Sequence, residues 1–452
     1  MNTLDIDINA PFDLGNFNKN IDEYKRKCLK KLGDNSCLYK SDILDTSRYD
    51  VVVFDPSLDK NKFDSDDSEL IYQITKTNDS YRVSTGKYVG SLTINKVNLK
   101  INISYGDFFL KRLLDFSNNV YFDNLANFSD NKNEDFLSKI IQYLFLSSLR
   151  RSLVNGFPMN YQKIANRDFN LKGNVDLKQY ISHFTKNYEG VPYFYKAKKY
   201  DNDILSTLYM AFSFCDKNFV SSYFSDLKRK ILTAKSDLKN DGFNENTIKK
   251  AKSSHLLNSV LYSSYKKTLT YAEMLILHKG YQPSDKIKEK QAHGWLIDVA
   301  DLWELYLYNL IKIHFPDWDV LYQEELPIYK RSFFRRTFIP DIVMKKKGSN
   351  DVVIIDAKFK KMDFLNSDVD RNDLQQIHTY YSYYKSIGLN VRYFSLAYPA
   401  RKKPSDADLL TSTIFDSNEK TNFGISYMLA GEDAEHQKEN EIEFIDRLKK
   451  NM

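Results

Sequence analysis

The apolar positions of this chain change period along its length, and each change predicts an element. Between 88 and 103 they alternate, in Tyr88-Val89-Gly90-Ser91-Leu92-Thr93-Ile94 and again in Val97-Asn98-Leu99-Lys100-Ile101-Asn102-Ile103. Alternation on both sides of the polar pair Asn95-Lys96 predicts a β-hairpin. Elsewhere the spacing lengthens to three and four. Helices are expected at 21–29, 108–116 and 134–154, the last with Phe136, Leu137, Ile140, Ile141, Leu144, Phe145 and Leu149 along one side. A short strand is expected at 51–54, and the acidic run 64–67 reads as loop. Residues 156–285 read as mostly helical, with helices near 202–215, 218–235 and 246–279 and a turn at 169–176. Another helix is expected within 286–315, with Leu296, Val299, Trp303, Tyr306, Leu307, Leu310 and Ile313 as its stripe and Pro316 as its stop.

Beyond Pro316 the period returns to two. A strand is expected near 320–324. Two Ile- and Val-rich runs follow, Phe338-Ile339-Pro340-Asp341-Ile342-Val343-Met344 and Asp351-Val352-Val353-Ile354-Ile355-Asp356-Ala357-Lys358, joined through Gly348-Ser349-Asn350. That pattern predicts a second hairpin. A helix at 372–386, closed by Gly388, and a strand at 391–396 come next. The order helix, strand, strand, strand, helix, strand predicts an α/β sandwich around a mixed sheet. The tail from 401 is polar, with a charged helix near 440–450. The fold class expected is α+β and multi-domain: a β-rich mixed N-terminal domain (1–155), a helical middle region (156–285), an α/β domain (286–400) and a polar extension (401–452). A chain of 452 residues is long enough for such a division.

Chemistry enters where carboxylates interrupt the second hairpin. Asp356 and Lys358, two apart, share one face of a strand, and an antiparallel partner brings Asp341 beside Asp356. Two close carboxylates repel unless a cation or a proton lies between them. An all-oxygen donor set suits a hard cation such as Mg2+, with Mn2+ as its substitute. An ammonium beside such a site can orient a water and balance developing negative charge. This combination points to phosphodiester hydrolysis. Asp and Lys at strand ends are usually solvated edge residues, and an Asp-x-Lys triplet alone says little. The Pro-Asp before one strand, the apolar run into Asp-Ala-Lys and the turn-sized gap together say more.

Composition narrows the partners. The 66 basic and 60 acidic residues leave a net charge of +6, so a nucleic-acid surface must be local. The 32 Tyr and 30 Phe exceed what bases alone would need, and most must serve cores. Lys and Tyr interleave at 193–200, as on some nucleic-acid surfaces and on ordinary amphipathic ones. Cys28, Cys37 and Cys215 form no Cys-x-x-Cys pair, which argues against a zinc ribbon and for a reducing, cytoplasmic setting. No signal peptide and no membrane-length apolar run is expected. No GxxxxGK[ST] loop is present, so nucleotide hydrolysis by this chain alone is not expected.

The second hairpin and its flanking elements resemble the PD-(D/E)xK nuclease fold, with Pro340-Asp341 and Asp356-Ala357-Lys358 as the motif. More narrowly, the chain resembles the McrC family, the nuclease subunits of McrBC-type restriction systems. Trp303-Glu304-Leu305-Tyr306 is similar to the family's helix before the nuclease strands. Asp373-Leu374-Gln375-Gln376-Ile377-His378-Thr379-Tyr380 resembles its "D-L-x-Q-x-x-x-Y" helix, with Gln376 as the family glutamine. The resemblance runs from about 85 to 400 and is looser at 88–103, 169–176 and 200–205. It implies a Mg2+-dependent DNA endonuclease subunit in phage defence, working with a McrB-like AAA+ GTPase that reads DNA and translocates. The extra length also fits LlaJI-type relatives, which read a defined sequence. A stand-alone restriction enzyme and a catalytically silent GTPase-activating scaffold are the alternatives.

The same resemblance assigns roles. Asp341, Asp356 and the carbonyl of Ala357 would hold the metal. Lys358 would position the water or stabilise charge, and Gln376 would hydrogen-bond near the water or the DNA backbone. Glu304 would complete the metal shell through water, with Glu324 and Glu325 as weaker candidates. Lys345, Lys346, Lys347, Lys360 and Lys361 border the site as phosphate contacts or as a solvated edge. Residues 1–155 would contact the GTPase. One chain offers one such site, so a double-strand break needs a second copy.

Overall fold

The computed structural model describes residues 2–452 apart from 8–11, 14–18, 44–48, 55–68, 78–79, 96, 118–135, 184–188, 218–219, 222–223, 237, 239–242, 279–291, 329–336, 361, 363–368, 405–409 and 417–420. The acidic run 64–67 and Lys361 lie outside the described residues. Two compact units emerge: Met1–Glu134 with Lys290–Met452, and Asp135–Glu289.

The first unit opens with β1 (Asn2–Asp7), β2 (Phe12–Asp13), α1 (Lys19–Leu32), β3 (Cys37–Tyr39), α2 (Lys40–Ile43), β4 (Tyr49–Phe54), β5 (Leu70–Thr77), β6 (Ser80–Thr85), β7 (Tyr88–Ile94), β8 (Val97–Asn102) and α3 (Asp107–Ser117). The first expected hairpin is β7–β8, paired Leu92 to Leu99 and Gly90 to Ile101. Its inward residues Val97, Leu99 and Ile101 are fully buried, as alternation requires. Strands β2, β6, β5 and β3 form a separate four-stranded sheet.

The second unit contains α4 (Phe136–Ser152), β9 (Met159–Asp168), β10 (Asn174–Val175), α5 (Leu177–His183), β11 (Val191–Tyr200), α6 (Asn202–Ser213), α7 (Ser225–Lys235), α8 (Glu245–Lys252) and α9 (Tyr265–His278). It is less helical than expected. The antiparallel pair β9–β11 runs ten residues, and the Lys-Tyr stretch 193–200 is one of its strands. The single helix expected at 246–279 is broken between α8 and α9. Serines crowd that gap, and their hydroxyls bond locally: Ser253 Oγ donates to the Lys250 carbonyl at 3.2 Å, and Ser259 Oγ accepts from Leu261 N at 3.4 Å. Such bonds compete with helix propagation.

The chain then re-enters the first unit as β12 (Ala292–Asp298) and α10 (Val299–His314). Residues 292–298, expected as helix, are a strand lying between β7 and β4. Gly294 makes this possible: its φ is +153°, and a Cβ there would meet the Ser91 carbonyl at 2.1 Å. Asp298 ends the strand by capping α10, accepting from Ala300 N at 3.1 Å and Asp301 N at 3.2 Å. The buried Asp298 carboxylate also meets Lys87 Nζ at 3.1 Å, which ties the start of α10 to the first hairpin.

The remainder supplies β13 (Trp318–Tyr322), β14 (Leu326–Pro327), β15 (Thr337–Phe338), β16 (Ile342–Lys346), β17 (Asp351–Ala357), α11 (Arg371–Ser386), β18 (Asn390–Ala400), β19 (Thr411–Thr413), β20 (Asn422–Leu429) and α12 (Ala434–Asn451). Six of these strands form one mixed sheet in the order β13-β16-β17-β18-β20-β19. Its centre, β17-β18-β20, is parallel. Helix α11 covers one face through Ile377, Tyr380 and Tyr384, packed with Val352, Ile354, Phe394 and Leu396. Residues 401–452, expected as a polar extension, contribute β19, β20 and α12 to this body. The polar composition is that of a one-sided helix: Phe444, Ile445 and Leu448 of α12 are buried.

Candidate active site

Strand β17 aims a row of alternate residues at α11. Val352 and Ile354 are apolar and buried in that core. Asp356 is next on the same face, and Lys358 follows just past the strand end. Asp356 is fully buried. The register pairs Ile342 with Ile355, so one step further Asp341 comes opposite Asp356. Pro340 has no N–H to continue the ladder, which leaves Asp341 at the mouth of β16. The half-buried Asp341 is fixed by its own hairpin, because Oδ2 accepts from Ala357 N at 2.8 Å.

The Lys358 ammonium fills the space in front of these carboxylates. It lies 2.6 Å from Asp356 Oδ2 and donates to Gln376 Oε1 at 2.9 Å. Gln376 is held in turn, its Nε2 donating to Tyr380 Oη at 2.9 Å, while Tyr380 donates to the Ile339 carbonyl at 3.2 Å. Behind the site the Ala397 carbonyl accepts both Lys358 N at 2.8 Å and Trp303 Nε1 at 3.1 Å. Helix α10 is thereby pinned to β18 at the point where β18 pairs with the end of β17.

Electrostatics follow from this crowding. Burial, then the charges of Glu304 and Asp356, push the Asp341 carboxyl well above the ordinary aspartate range. Burial also raises Asp356, against the pull of Lys358. Burial disfavours the Lys358 ammonium, yet the Asp356 and Asp341 charges hold its pKa above the ordinary lysine value. The ammonium thus contacts the buried Asp356 and is also attracted by the half-buried Asp341.

Glu304 faces the cluster from α10. Its Oε2 accepts from Gln323 Nε2 at 2.8 Å, and Gln323 N donates to the Asp341 carbonyl at 2.9 Å. Gln323 is buried in a left-handed conformation, φ +48°. It links Glu304 to the strand bearing Asp341, and no sequence pattern flagged it. Asp373, in the first turn of α11, is the other residue that sequence reasoning left without a role. It is buried, accepts Lys360 Nζ at 3.0 and 2.7 Å, and stands 4.0 Å from Lys358 Nζ.

Other candidates are engaged elsewhere. Glu324 accepts from Lys345 Nζ and from Tyr384 Oη, both at 2.7 Å. Lys347 Nζ donates to the Pro316 carbonyl at 2.9 Å. Glu325 and Lys346 are exposed.

The donor set suits a small hard cation. Asp356 Oδ1 is buried, and no backbone N–H, amide or hydroxyl among the described residues donates to it. The Asp341 carboxylate lies opposite it by the hairpin register, and Ala357 is the next residue along β17. Among the described residues no three His, Cys, Asp or Glu side chains gather as a metal cage. Two carboxylates with a carbonyl fit Mg2+, which keeps several waters, better than a metal that needs a full protein cage.

A family model described as "McrBC 5-methylcytosine restriction system component" matches residues 83–399. The chain belongs to the McrBC family. All candidate residues from Glu304 to Gln376 fall inside the McrBC match, while β19, β20 and α12 lie beyond it. Among solved structures, the McrBC-family chain is similar to one in a refined half-complex from the tetradecameric assembly of Thermococcus gammatolerans McrB AAA+ hexamers with bound McrC. That match has 15% identity and a TM-score of 0.55, over 99% of this chain and 100% of the other. It shows a likeness of fold. A second match, in the cryo-EM structure of the Thermococcus gammatolerans McrBC complex, has 13% identity and a TM-score of 0.35 over 68% of this chain and 87% of that one. No curated protein matches.

Proposed function

We propose that this restriction-system component is its Mg2+-dependent endonuclease subunit, hydrolysing DNA phosphodiesters together with a McrB-like AAA+ GTPase. The observation that carries this reading is the meeting of Asp341, Asp356 and Lys358 at one end of the β16–β17 hairpin, with Ala357 N on Asp341 and Lys358 on Asp356. A mixed sheet with that cluster at its centre and α11 across one face supports the PD-(D/E)xK reading. The missing GxxxxGK[ST] loop supports a separate nucleotide-hydrolysing partner. So does the likeness to a chain from an assembly of McrB AAA+ hexamers with bound McrC. A cytoplasmic setting suits three cysteines that form no disulfide. No helix among the described residues is long and apolar enough to cross a membrane.

Asp341, Asp356 and the Ala357 carbonyl would hold the Mg2+, with Glu304 reaching it through water. The bound ion supplies Lewis-acid polarisation of a phosphoryl oxygen and a more acidic water. Lys358 offers an ammonium to the water or to a non-bridging oxygen. Gln376 limits where that ammonium can go, and Tyr380 limits Gln376. Among the described residues each chain has one such site, so cutting both strands would take two copies.

The test is cleavage of supercoiled DNA by the purified chain with its partner GTPase, GTP and Mg2+. Asp356→Ala and Lys358→Ala should each lower cutting by about 10²–10³-fold or more, while GTPase stimulation and assembly persist. Undiminished cutting by either variant would sink the reading. Cutting that needs no partner would favour a stand-alone enzyme. GTPase stimulation without any cutting by the wild type would favour a scaffold.

A further inference from the structure

Lys358 has more than one place to go. Its ammonium is 2.6 Å from Asp356 Oδ2, 2.9 Å from Gln376 Oε1 and 4.0 Å from Asp373 Oδ1. The Asp356 position is the one a divalent ion would need, because that carboxylate is fully buried and, among the described residues, no backbone N–H, amide or hydroxyl donates to it. An ammonium pressed against Asp356 and a divalent ion on the same carboxylate repel each other strongly. The ammonium must therefore yield, and a largely desolvated ammonium, its side chain 15% exposed, yields most readily to another anion.

Asp373 meets that need. Its carboxylate is buried in the first turn of α11, and Lys360 fixes both oxygens at 3.0 and 2.7 Å. Closing the gap to hydrogen-bond contact takes a shift of about 1 Å, well within the freedom of a lysine side chain. Gln376 stands three residues further along the same helix, on the same face, so it keeps its bond to Lys358 throughout the shift. Of the three ammonium protons, one then goes to Asp373 and one to Gln376, and the third is left for the water or the phosphate.

We propose that Asp373 is a positioning residue for Lys358, receiving its ammonium when a divalent cation takes Asp356 and thereby setting how tightly that cation binds. The inference rests on the nuclease reading above and adds a role for a residue outside the metal-holding set.

The test is Mn2+ titration of the full chain without DNA, followed by calorimetry and electron paramagnetic resonance. Asp373→Asn should weaken Mn2+ binding by about 10-fold or more, and Asp373→Glu should recover much of the loss. In a Lys358→Met background, Asp373→Asn should change the affinity by less than about twofold, because no ammonium remains to be moved. Loss of charge alone, or of local packing, would carry over undiminished into that background, and that result would overturn the proposal. So would wild-type affinity in Asp373→Asn, or an equal loss in Lys360→Met, which breaks the same ion pair but spares the carboxylate. Should the Asn variant fail to fold, Asp373→Ala carries the same comparison, since Ala is the residue best tolerated within a helix. If Asp356→Asn abolishes Mn2+ binding and Asp373→Asn does not alter it, only the positioning role falls. If Asp356→Asn binds Mn2+ like the wild type, the nuclease reading falls and takes this role with it.

Discussion

Asp341 is a carboxylate whose neighbours work against its charge. Burial, Glu304 and Asp356 all raise its pKa, against the pull of Lys358 and the Ala357 amide. A carboxyl that holds its proton more tightly in the folded chain than in the unfolded one stabilises the fold at low pH. That contribution is lost as pH rises from the ordinary aspartate range through the raised value. Without divalent ions, thermal stability should therefore decline between mildly acidic and mildly alkaline pH. Asp341→Asn should flatten that decline and melt higher than the wild type at pH 8, and added Mg2+ should raise the wild-type midpoint more than the variant's. Thermal scans at several pH values, with and without Mg2+, check all three outcomes. At this scale much of the site was readable. The i, i+2 spacing of Asp356 and Lys358 and the one-step register to Asp341 are consequences of strand geometry. Asp373 was not readable as a partner of Lys358, since an acidic residue in a first helical turn already has a local reason to be there. Gln323 was hidden for another reason: its role comes from a left-handed backbone and a contact 19 residues away.

Elements are locked together by buried polar contacts as much as by apolar ones. Arg112 of α3 donates to both oxygens of Glu441 on α12, at 2.8 and 2.9 Å, and Tyr306 of α10 donates to the same carboxylate at 2.7 Å. Glu441 is only 4% exposed, so removing its cation leaves a buried charge without compensation. Arg112→Ala should cost about 3–5 kcal/mol in urea unfolding, and the pair Arg112→Met with Glu441→Gln should recover most of it. This contact joins residues 329 apart and has no local signature. Local signals did lead astray at β12. Leu296, Val299 and Trp303 lie at helical spacing, and a short apolar run does not separate strand from helix. Gly294 was the available clue, because a glycine inside an apolar run marks close backbone approach. The β7–β8 and β16–β17 hairpins were legible because alternation, turn residues and length all agreed.

Whole-molecule organisation was the least legible. The 401–452 stretch looked like an appendage because polarity was averaged over a helix with one buried stripe. The second unit was anticipated as a middle region, but sequence spacing could not show that β12 returns to the sheet begun by β1, β4, β7 and β8. That return has a consequence for biosynthesis. Among the described residues strand β4 pairs in this sheet only through β12, and about 240 residues separate the two; at 5–20 residues per second that is on the order of 10–50 s of translation. During that interval a nascent chain carries Val51, Val52 and Val53 without their sheet partner, a natural client for a ribosome-associated chaperone. Chains stalled before Ala292 should be cleaved by protease around 49–54, and chains stalled far enough beyond Asp298 for β12 to emerge should resist it.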